Sequence, residues 1–172
     1  LKILFDFIKL SPQEILDLGY DSNTLQDQQQ ILEFAKKKEE RQILLSSASS
    51  DLTKKFKNWW KQGNYKFDLK ADGNFFKIWV SDSLREEQIS LEHRSTGLQW
   101  FLSFYLTFLV ETRDSLKGSI LLLDEAGLSL HPLAQKDLIA FFKNLSKENQ
   151  IIHTTHSPFL VDTENIDNVK LA

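Results

Sequence analysis

The chain has 172 residues, of which 41% are hydrophobic and 26% are charged, with a formal net charge of −3. This composition predicts about one globular domain and argues against a chain that is basic throughout and coats nucleic acid. The absence of cysteine excludes disulfide bonds and thiolate metal sites, and it fits a cytoplasmic location. The chain begins with leucine, has no methionine and lacks signal-peptide features, so we expect a fragment of a longer protein.

Residues 1–62 predict a helical segment that serves as an insertion or a dimerisation region. Ser11, Pro12 and Glu14 fit a capping box with proline at the first helical position, and Gly19 is expected to end that helix. Residues 25–41 predict a polar surface helix, and residues 52–60 predict a further helix. Residues 36–66 carry nine Lys or Arg against three acidic residues. Solvated helix faces explain this excess most simply, and a DNA-binding surface is the alternative.

A β-hairpin is predicted next, because two segments alternate apolar and polar residues around an Asp72-Gly73 turn. Ser83 and Glu86 have the spacing of a capping box, which predicts a short helix from Ser83 to Gln88. The apolar side chains that define the two strands are Tyr65, Phe67 and Leu69 before the turn and Phe76, Ile78 and Val80 after it.

The second half of the chain alternates predicted helices and strands. Such alternation is typical of right-handed crossovers and a parallel sheet, so the predicted fold class is α/β. The apolar stretch 98–110 is too short to span a bilayer, and no membrane partner is expected. The predicted helices are 98–113, 132–145 and 157–161, and the predicted strands are 120–123, 151–153 and 169–171.

The run of four aliphatic residues from Ile120 to Leu123 ends in two adjacent carboxylates, Asp124 and Glu125. A buried parallel strand is typically apolar throughout because both of its faces are covered. Carboxylates at its end would lie at the edge where open α/β sheets bind ligands. Nucleotide hydrolases place there one carboxylate that supports Mg²⁺ and another that orients the attacking water. A solvated acidic turn is the simpler alternative.

Two further segments flank this strand end. Arg94-Ser95-Thr96-Gly97 precedes a long apolar helix, where free backbone N–H groups can face an anion. A plain capping box of Thr96 with Gln99 would explain the same residues. The segment from His153 to Pro158 ends an apolar strand before a capped turn. His156 could there donate to a phosphate or simply bond nearby backbone.

The order of these segments resembles the C-terminal half of an ABC-type ATPase head of the SMC/RecF/OLD group. The likeness is greatest to OLD-family and AAA-type predicted ATPases. Residues 94–102 resemble the signature motif, residues 121–132 resemble the Walker B strand with its D-loop, and residues 155–158 match the Thr-His-Ser-Pro switch. The resemblance makes residues 63–172 the C-terminal ATPase lobe, with the hairpin as its first part.

The resemblance implies a role for each matching residue. Asp124 would support Mg²⁺, Glu125 would be the general base, and His156 would be the switch histidine near the γ-phosphate of ATP. The signature residues would approach the nucleotide held by the opposite subunit, so a homodimer is implied. The nucleotide-binding residues implied in this way are Ser95, Thr96, Gly97, Gln99, Ser129 and His131. Arg94 belongs to the motif, but no role for it follows.

The sequence departs from the family pattern in one important way. It contains no Gly-x-x-x-x-Gly-Lys-Ser/Thr segment, so we expect the Walker A phosphate loop to lie upstream of Leu1. The implied function is the C-terminal part of an OLD-like ATPase acting in DNA maintenance or phage defence, inactive as an isolated fragment. Whether a TOPRIM nuclease follows in the parent protein is left open.

Two other functions remain open at this point. The first is a metal-dependent hydrolase that uses Asp124, Glu125, His131, His153 and His156. The second is a non-catalytic module in which residues 1–60 dimerise or hold DNA. His153 fits a structural role better than a catalytic one.

Overall fold

The computed structural model describes residues 2–19, 28–73, 75–111 and 118–170. Contacts divide the chain into two units. The first unit comprises Leu1–Lys57 and Gly63–Arg94, and the second comprises Asn58–Gln62 and Ser95–Ala172. The hairpin therefore groups with the helices, whereas the sequence places it with the ATPase lobe. A functional boundary between residues 62 and 63 stays a prediction.

The first unit begins with two short helices, α1 (Lys2–Ile8) and α2 (Pro12–Asp17). The predicted cap of α2 is confirmed, since the Ser11 hydroxyl accepts a hydrogen bond from the Glu14 N–H at 3.5 Å. Gly19 does not adopt the left-handed conformation expected of a glycine stop. A Cβ there would lie 1.6 Å from Nη1 of the buried Arg41, so the glycine leaves room for that side chain.

Helix α3 (Gln28–Phe56) is a single helix of 29 residues. The prediction of two separate helices in this region is wrong, because residues 42–51 contain neither glycine nor proline to interrupt them. Residues 25–27 lie outside the described residues. The buried side chains of α3 recur every three or four residues, as a helix with one covered face requires: they include Leu45, Ala48, Leu52 and Phe56.

A three-stranded antiparallel sheet follows, with strands β1 (Tyr65–Asp72), β2 (Phe75–Asp82) and β3 (Arg85–Ser90) in that order. The predicted hairpin is confirmed, and Gly73 has the positive φ of +53° that its turn requires. The predicted helix from Ser83 to Gln88 is wrong. The Leu84 N–H instead bonds Asp82 Oδ1 at 3.0 Å, and the chain turns back to pair β3 with β2. Pairing with an open strand edge satisfies more backbone than one helical turn would.

Helix α3 covers the outer edge of β1 with two hydroxyl groups. The Ser49 hydroxyl accepts a hydrogen bond from the Leu69 N–H at 2.8 Å, and the Thr53 hydroxyl accepts one from the Phe67 N–H at 2.9 Å. These residues are four apart on the helix and two apart on the strand, so both spacings match along one edge. The hydroxyls replace the neighbouring strand that an edge strand lacks.

The second unit contains α4 (Thr96–Glu111), β4 (Ile120–Leu123), α5 (Pro132–Leu145) and β5 (Gln150–His153). Strands β4 and β5 pair in parallel, as predicted.

The predicted helix after Ser157 is only a 3-10 turn, Pro158–Leu160. The predicted last strand is not formed at Val169 and Lys170, where a 3-10 turn at Ile166–Asn168 has just ended; Leu171 lies outside the described residues. Arg113, the predicted end of the long helix, also lies outside them.

Aromatic side chains fill the core between α4 and α5. Phe101 and Tyr105 of α4 approach Phe141 of α5 with ring centroids 6.5 and 5.9 Å apart. Trp59 also contacts the Phe141 ring, edge-on at 5.1 Å. The buried Asp137 carboxylate accepts hydrogen bonds from the Lys61 N–H and from Gln62 at 2.8 and 2.9 Å. These contacts attach residues 58–62 to the second unit.

One face of the two-stranded sheet is exposed. Ile120, Leu122 and Ile152 are 63%, 74% and 52% exposed, whereas Leu121 on the other face is buried. The expectation that both faces of β4 are covered is therefore wrong within the described part of the chain. In residues 2–19, 28–73, 75–111 and 118–170, no helix is both long and apolar enough to cross a membrane.

We predict that Ser49→Ala destabilises the protein by about 1–3 kcal/mol, since the buried Leu69 N–H would lose its acceptor. The measurement is the free energy of unfolding in urea. Ser50→Ala, at an exposed position of the same helix, is the control for the helix propensity of alanine. Equal stabilities of the two variants would contradict a role for the Ser49 hydroxyl at this edge.

Candidate functional site

The carboxyl ends of β4 and β5 bring the predicted acidic and histidine residues together. Leu123 pairs with His153, so the two strands end at the same level of the sheet. Asp124 and Glu125 continue from β4, and residues 154–156 continue from β5. This is the edge where parallel α/β sheets present ligand-binding side chains.

The hydroxyl group of Thr154 joins both acidic residues. It donates a hydrogen bond to Asp124 Oδ1 at 2.6 Å and accepts one from the Glu125 N–H at 3.1 Å. One hydroxyl can do both because it carries one proton and two lone pairs. The Thr154 N–H also donates to the Leu123 carbonyl at 3.0 Å, which extends the strand pairing by one residue. Sequence reasoning assigned Thr154 no role, although its position at a strand end beside a histidine was the available signal.

Glu125 and His156 face each other at the surface. Glu125 Oε1 lies 3.3 Å from His156 Nε2, and Glu125 Oε2 accepts the His156 N–H at 3.4 Å. The His156 side chain is 94% exposed and that of Glu125 only 25%. Glu125 has a φ of +47°, which is unusual for a residue other than glycine. A carboxylate in this position can accept a proton from water, and the histidine can donate to an anion.

The loop after Glu125 makes a turn and then begins α5. The Leu130 N–H bonds the Gly127 carbonyl at 3.0 Å, and Ser129 is exposed within this turn. His131 is the N-cap of α5, and its Nδ1 accepts a hydrogen bond from the Leu133 N–H at 3.4 Å. His131 therefore has a structural role at the helix start, and its role toward a nucleotide stays a prediction.

The segment that resembles a signature motif leads into α4. Ser95 caps this helix, since its hydroxyl accepts a hydrogen bond from the Leu98 N–H at 3.4 Å. The alternative, in which Thr96 is the N-cap and pairs with Gln99, does not hold, because Thr96 is already the first residue of the helix. A Cβ on Gly97 would lie 3.4 Å from the Ser129 carbonyl oxygen. This is an ordinary van der Waals distance, so the start of α4 lies against the turn after Glu125 without requiring glycine there.

The predicted site residues form two groups in the second unit. Thr154 joins Asp124 and Glu125, and Glu125 contacts His156, whereas Gly97 packs against the turn that contains Ser129. In the described part of the chain, no hydrogen bond or ion pair connects the acidic group to residues 95–97.

Arg94 has its described contacts in the first unit. Its guanidinium pairs with Asp82 at 3.1 Å, donates to the Val80 carbonyl at 2.8 Å, and lies 5.7 Å from the centre of the Tyr65 ring. The Arg94 and Asp82 side chains are both largely buried. The sequence suggested no role for this arginine, and its contacts give it a structural role on β2.

The donor set of the strand end suits a hard divalent cation such as Mg²⁺, which prefers carboxylate oxygens and keeps several waters. Asp124 is exposed at the strand end and is oriented through one oxygen by Thr154. The alternative of a metal-dependent hydrolase would need several such ligands around one ion. Among the described residues, no three His, Cys, Asp or Glu side chains are close enough to hold a metal ion together. His131, for example, caps a helix instead.

His153 lies on the covered face of β5. Its ring packs against Phe142 with centroids 5.3 Å apart. This burial lowers the pKa of His153 below its ordinary value, because desolvation disfavours the charged ring. The structural role expected for His153 agrees with this position.

The sequence matches a family profile and a curated relative. The sequence profile of the AAA ATPase domain family matches residues 3–161. Uncharacterized protein MJECL43 of Methanocaldococcus jannaschii is 33% identical over 139 residues, which are 76% of this chain and 36% of that protein. The chain thus spans about a third of the length of this curated relative.

Solved structures of SMC ATPases are similar in fold. One SMC ATPase, described for ATP-driven dimerization and DNA-stimulated activation, matches with a TM-score of 0.52 at 18% identity, over 65% of this chain and 68% of that chain. An SMC head bound to the winged-helix domain of ScpA matches with a TM-score of 0.49 at 18% identity, over 91% and 46% of the two chains. The first likeness confirms the predicted α/β fold class, with a fold similar to that of an SMC ATPase.

We predict that lowering the pH from about 7 to about 5 reduces the free energy of unfolding less in His153→Gln than in the unsubstituted protein. The folded state holds His153 at a pKa below that of the unfolded chain, so the unfolded state binds more protons there. Stability therefore falls as the pH drops below the ordinary histidine pKa of about 6.5. Urea unfolding at both pH values measures the difference. His93→Gln, at an exposed position of the first unit, is the control for replacing a histidine by glutamine elsewhere in the chain.

Proposed function

Because this chain belongs to the AAA ATPase domain family, we propose that it supplies the Walker B and signature part of an ATP-hydrolysing, ABC-type head. The observation that carries the proposal is that four side chains meet at the carboxyl ends of β4 and β5: Asp124, Glu125, Thr154 and His156. Two carboxylates follow one parallel strand, and a hydroxyl and a histidine follow its neighbour. This set provides a cation ligand, a proton acceptor and an anion-facing donor within one small region.

In this proposal Asp124 supports Mg²⁺ through its exposed carboxylate, directly or through water. When bound, Mg²⁺ would supply neutralisation of the phosphate charges of ATP. Glu125 orients the attacking water and accepts its proton, and its limited exposure leaves it less solvated than Asp124. His156, exposed beside Glu125, donates to the terminal phosphate.

A second subunit is part of the proposed catalytic unit. Ser95 and Gly97 would approach the nucleotide held by the opposite subunit, assisted by Thr96 and Gln99 at the start of α4. Free N–H groups at a helix N-terminus favour an anion. Ser129, exposed in the turn that packs on Gly97, and His131 would lie at the same interface. We therefore propose a homodimer with ATP between the subunits.

In this proposal the Walker A loop, which binds the phosphates of ATP, would lie elsewhere in a longer protein. The sequence contains no Walker A segment, and the chain covers 36% of its curated relative. The exposed face of β4 and β5, with Ile120, Leu122 and Ile152, supports the same proposal, because parallel sheets are normally covered on both faces. Further sheet or helix from the parent protein would cover this face.

We propose an OLD-like protein that acts in DNA maintenance or phage defence. The support is the family resemblance of residues 94–102, 121–132 and 155–158, together with the basic excess of residues 36–66. Lys55 pairs with Asp51 at 2.7 Å, so the exposed Lys54 is the better candidate for a phosphate contact.

We predict that Glu125→Gln in the full-length protein lowers ATP turnover by about 10²–10⁴-fold, since a positioned base is lost. ATP binding should persist, because the amide keeps the size of the carboxylate. Steady-state turnover and nucleotide binding measure the two effects. Glu148→Gln, at an exposed position after α5, is the matched control. Normal turnover by Glu125→Gln would remove Glu125 from the base role.

We also predict that the purified 172-residue chain hydrolyses no ATP by itself, because its sequence contains no Walker A loop to bind the phosphates. The measurement is phosphate release above a no-protein blank. Turnover by the chain that disappears on Glu125→Gln would overturn this prediction and place phosphate binding within the chain.

A further inference from the structure

A buried glutamine in α5 connects the two loops of the candidate site. Gln135 lies one turn into the helix and is 4% exposed. Its Nε2 donates hydrogen bonds to the carbonyls of Gly127 and Leu130, both at 3.2 Å. Its Oε1 accepts a hydrogen bond from the Ser157 hydroxyl at 2.6 Å. Both amide protons and the amide oxygen are thus used.

At one end, the Gln135 amide closes the turn after Glu125. The two carbonyls that it binds begin and end the turn in which Ser129 is exposed. Gly127 has a φ of +85°, and a Cβ there would lie 2.6 Å from Leu138 Cδ2. The turn therefore packs closely against α5, and the Gln135 amide holds the turn in this position.

At the other end, Gln135 fixes the residue that follows His156. The Ser157 hydroxyl donates to Gln135 and also accepts the Phe159 N–H at 3.4 Å. The Ser157 N–H in turn donates to the Thr155 hydroxyl at 3.0 Å. Because His156 lies between Thr155 and Ser157, its backbone position depends on this serine.

We infer that Gln135 is a positioning residue that couples the turn of residues 127–130 to the loop that carries His156. This inference rests on the proposed ATPase function. A displacement of the turn by a second subunit would be passed to His156 through one side chain, because the same amide binds both loops. The amide is suited to this because it donates to the turn and accepts from the serine, which a carboxylate or an apolar side chain of similar size cannot do.

The test uses the full-length protein with Gln135→Met, Ser157→Ala and the double variant. Methionine keeps the length and volume of the side chain and removes its hydrogen bonds. We expect each single variant to lower kcat for ATP by about 10–100-fold, the usual effect of losing a supporting contact, with KM nearly unchanged. The double variant should lose little more than either single variant, because both act through one contact. Gln150→Met, exposed at the start of β5, is the control.

A second readout needs no catalysis. Amide hydrogen exchange should become faster in residues 127–130 and 155–160 together in Gln135→Met. Unchanged kcat in a folded variant, losses that multiply in the double variant, or faster exchange in only one loop would each overturn the coupling. If Gln135→Met does not fold, Ser157→Ala alone must lower kcat and loosen both loops. Failure of Glu125→Gln to lower turnover would instead overturn the proposed function.

Discussion

The parallel pairing of β4 with β5 determines where the candidate site lies. Each strand has only four residues, yet the register that sets Leu123 beside His153 brings both strand ends to one level. A slip of one residue would carry Thr154 away from Asp124 and turn the buried Leu121 to the exposed face. The hydrogen bonds of Thr154 and the contact of Glu125 with His156 exist only in this register.

Local signals in the sequence predicted much of the fold. The Ser11-Pro12 cap, the Asp72-Gly73 turn and the apolar run before Asp124 each act over a few residues, so the sequence alone predicts them. The residues that gather at the strand ends were also predicted, because parallel strands must end at a common edge. The roles of these residues toward ATP stay predictions.

Features that depend on distant partners could not be predicted. The segment 85–90 forms a strand because the edge of β2 is open to it, although its local spacing indicates a helix. Thr154 and Gln135 matter through contacts 30 and 22 residues away along the chain. Arg94 is explained only when Asp82 and Val80 are seen beside it. No local pattern distinguishes such side chains from ordinary polar residues.

The left-handed backbone of Glu125 has an evolutionary consequence. Outside glycine this conformation costs about 1 kcal/mol or more, and Thr154 holds the backbone there by accepting the Glu125 N–H. Glycine at this position would relieve this backbone strain, while removing the carboxylate and its contacts with His156. Selection against backbone strain alone would therefore favour the replacement of Glu125. A glutamate retained at this position in related sequences would indicate selection for its chemistry.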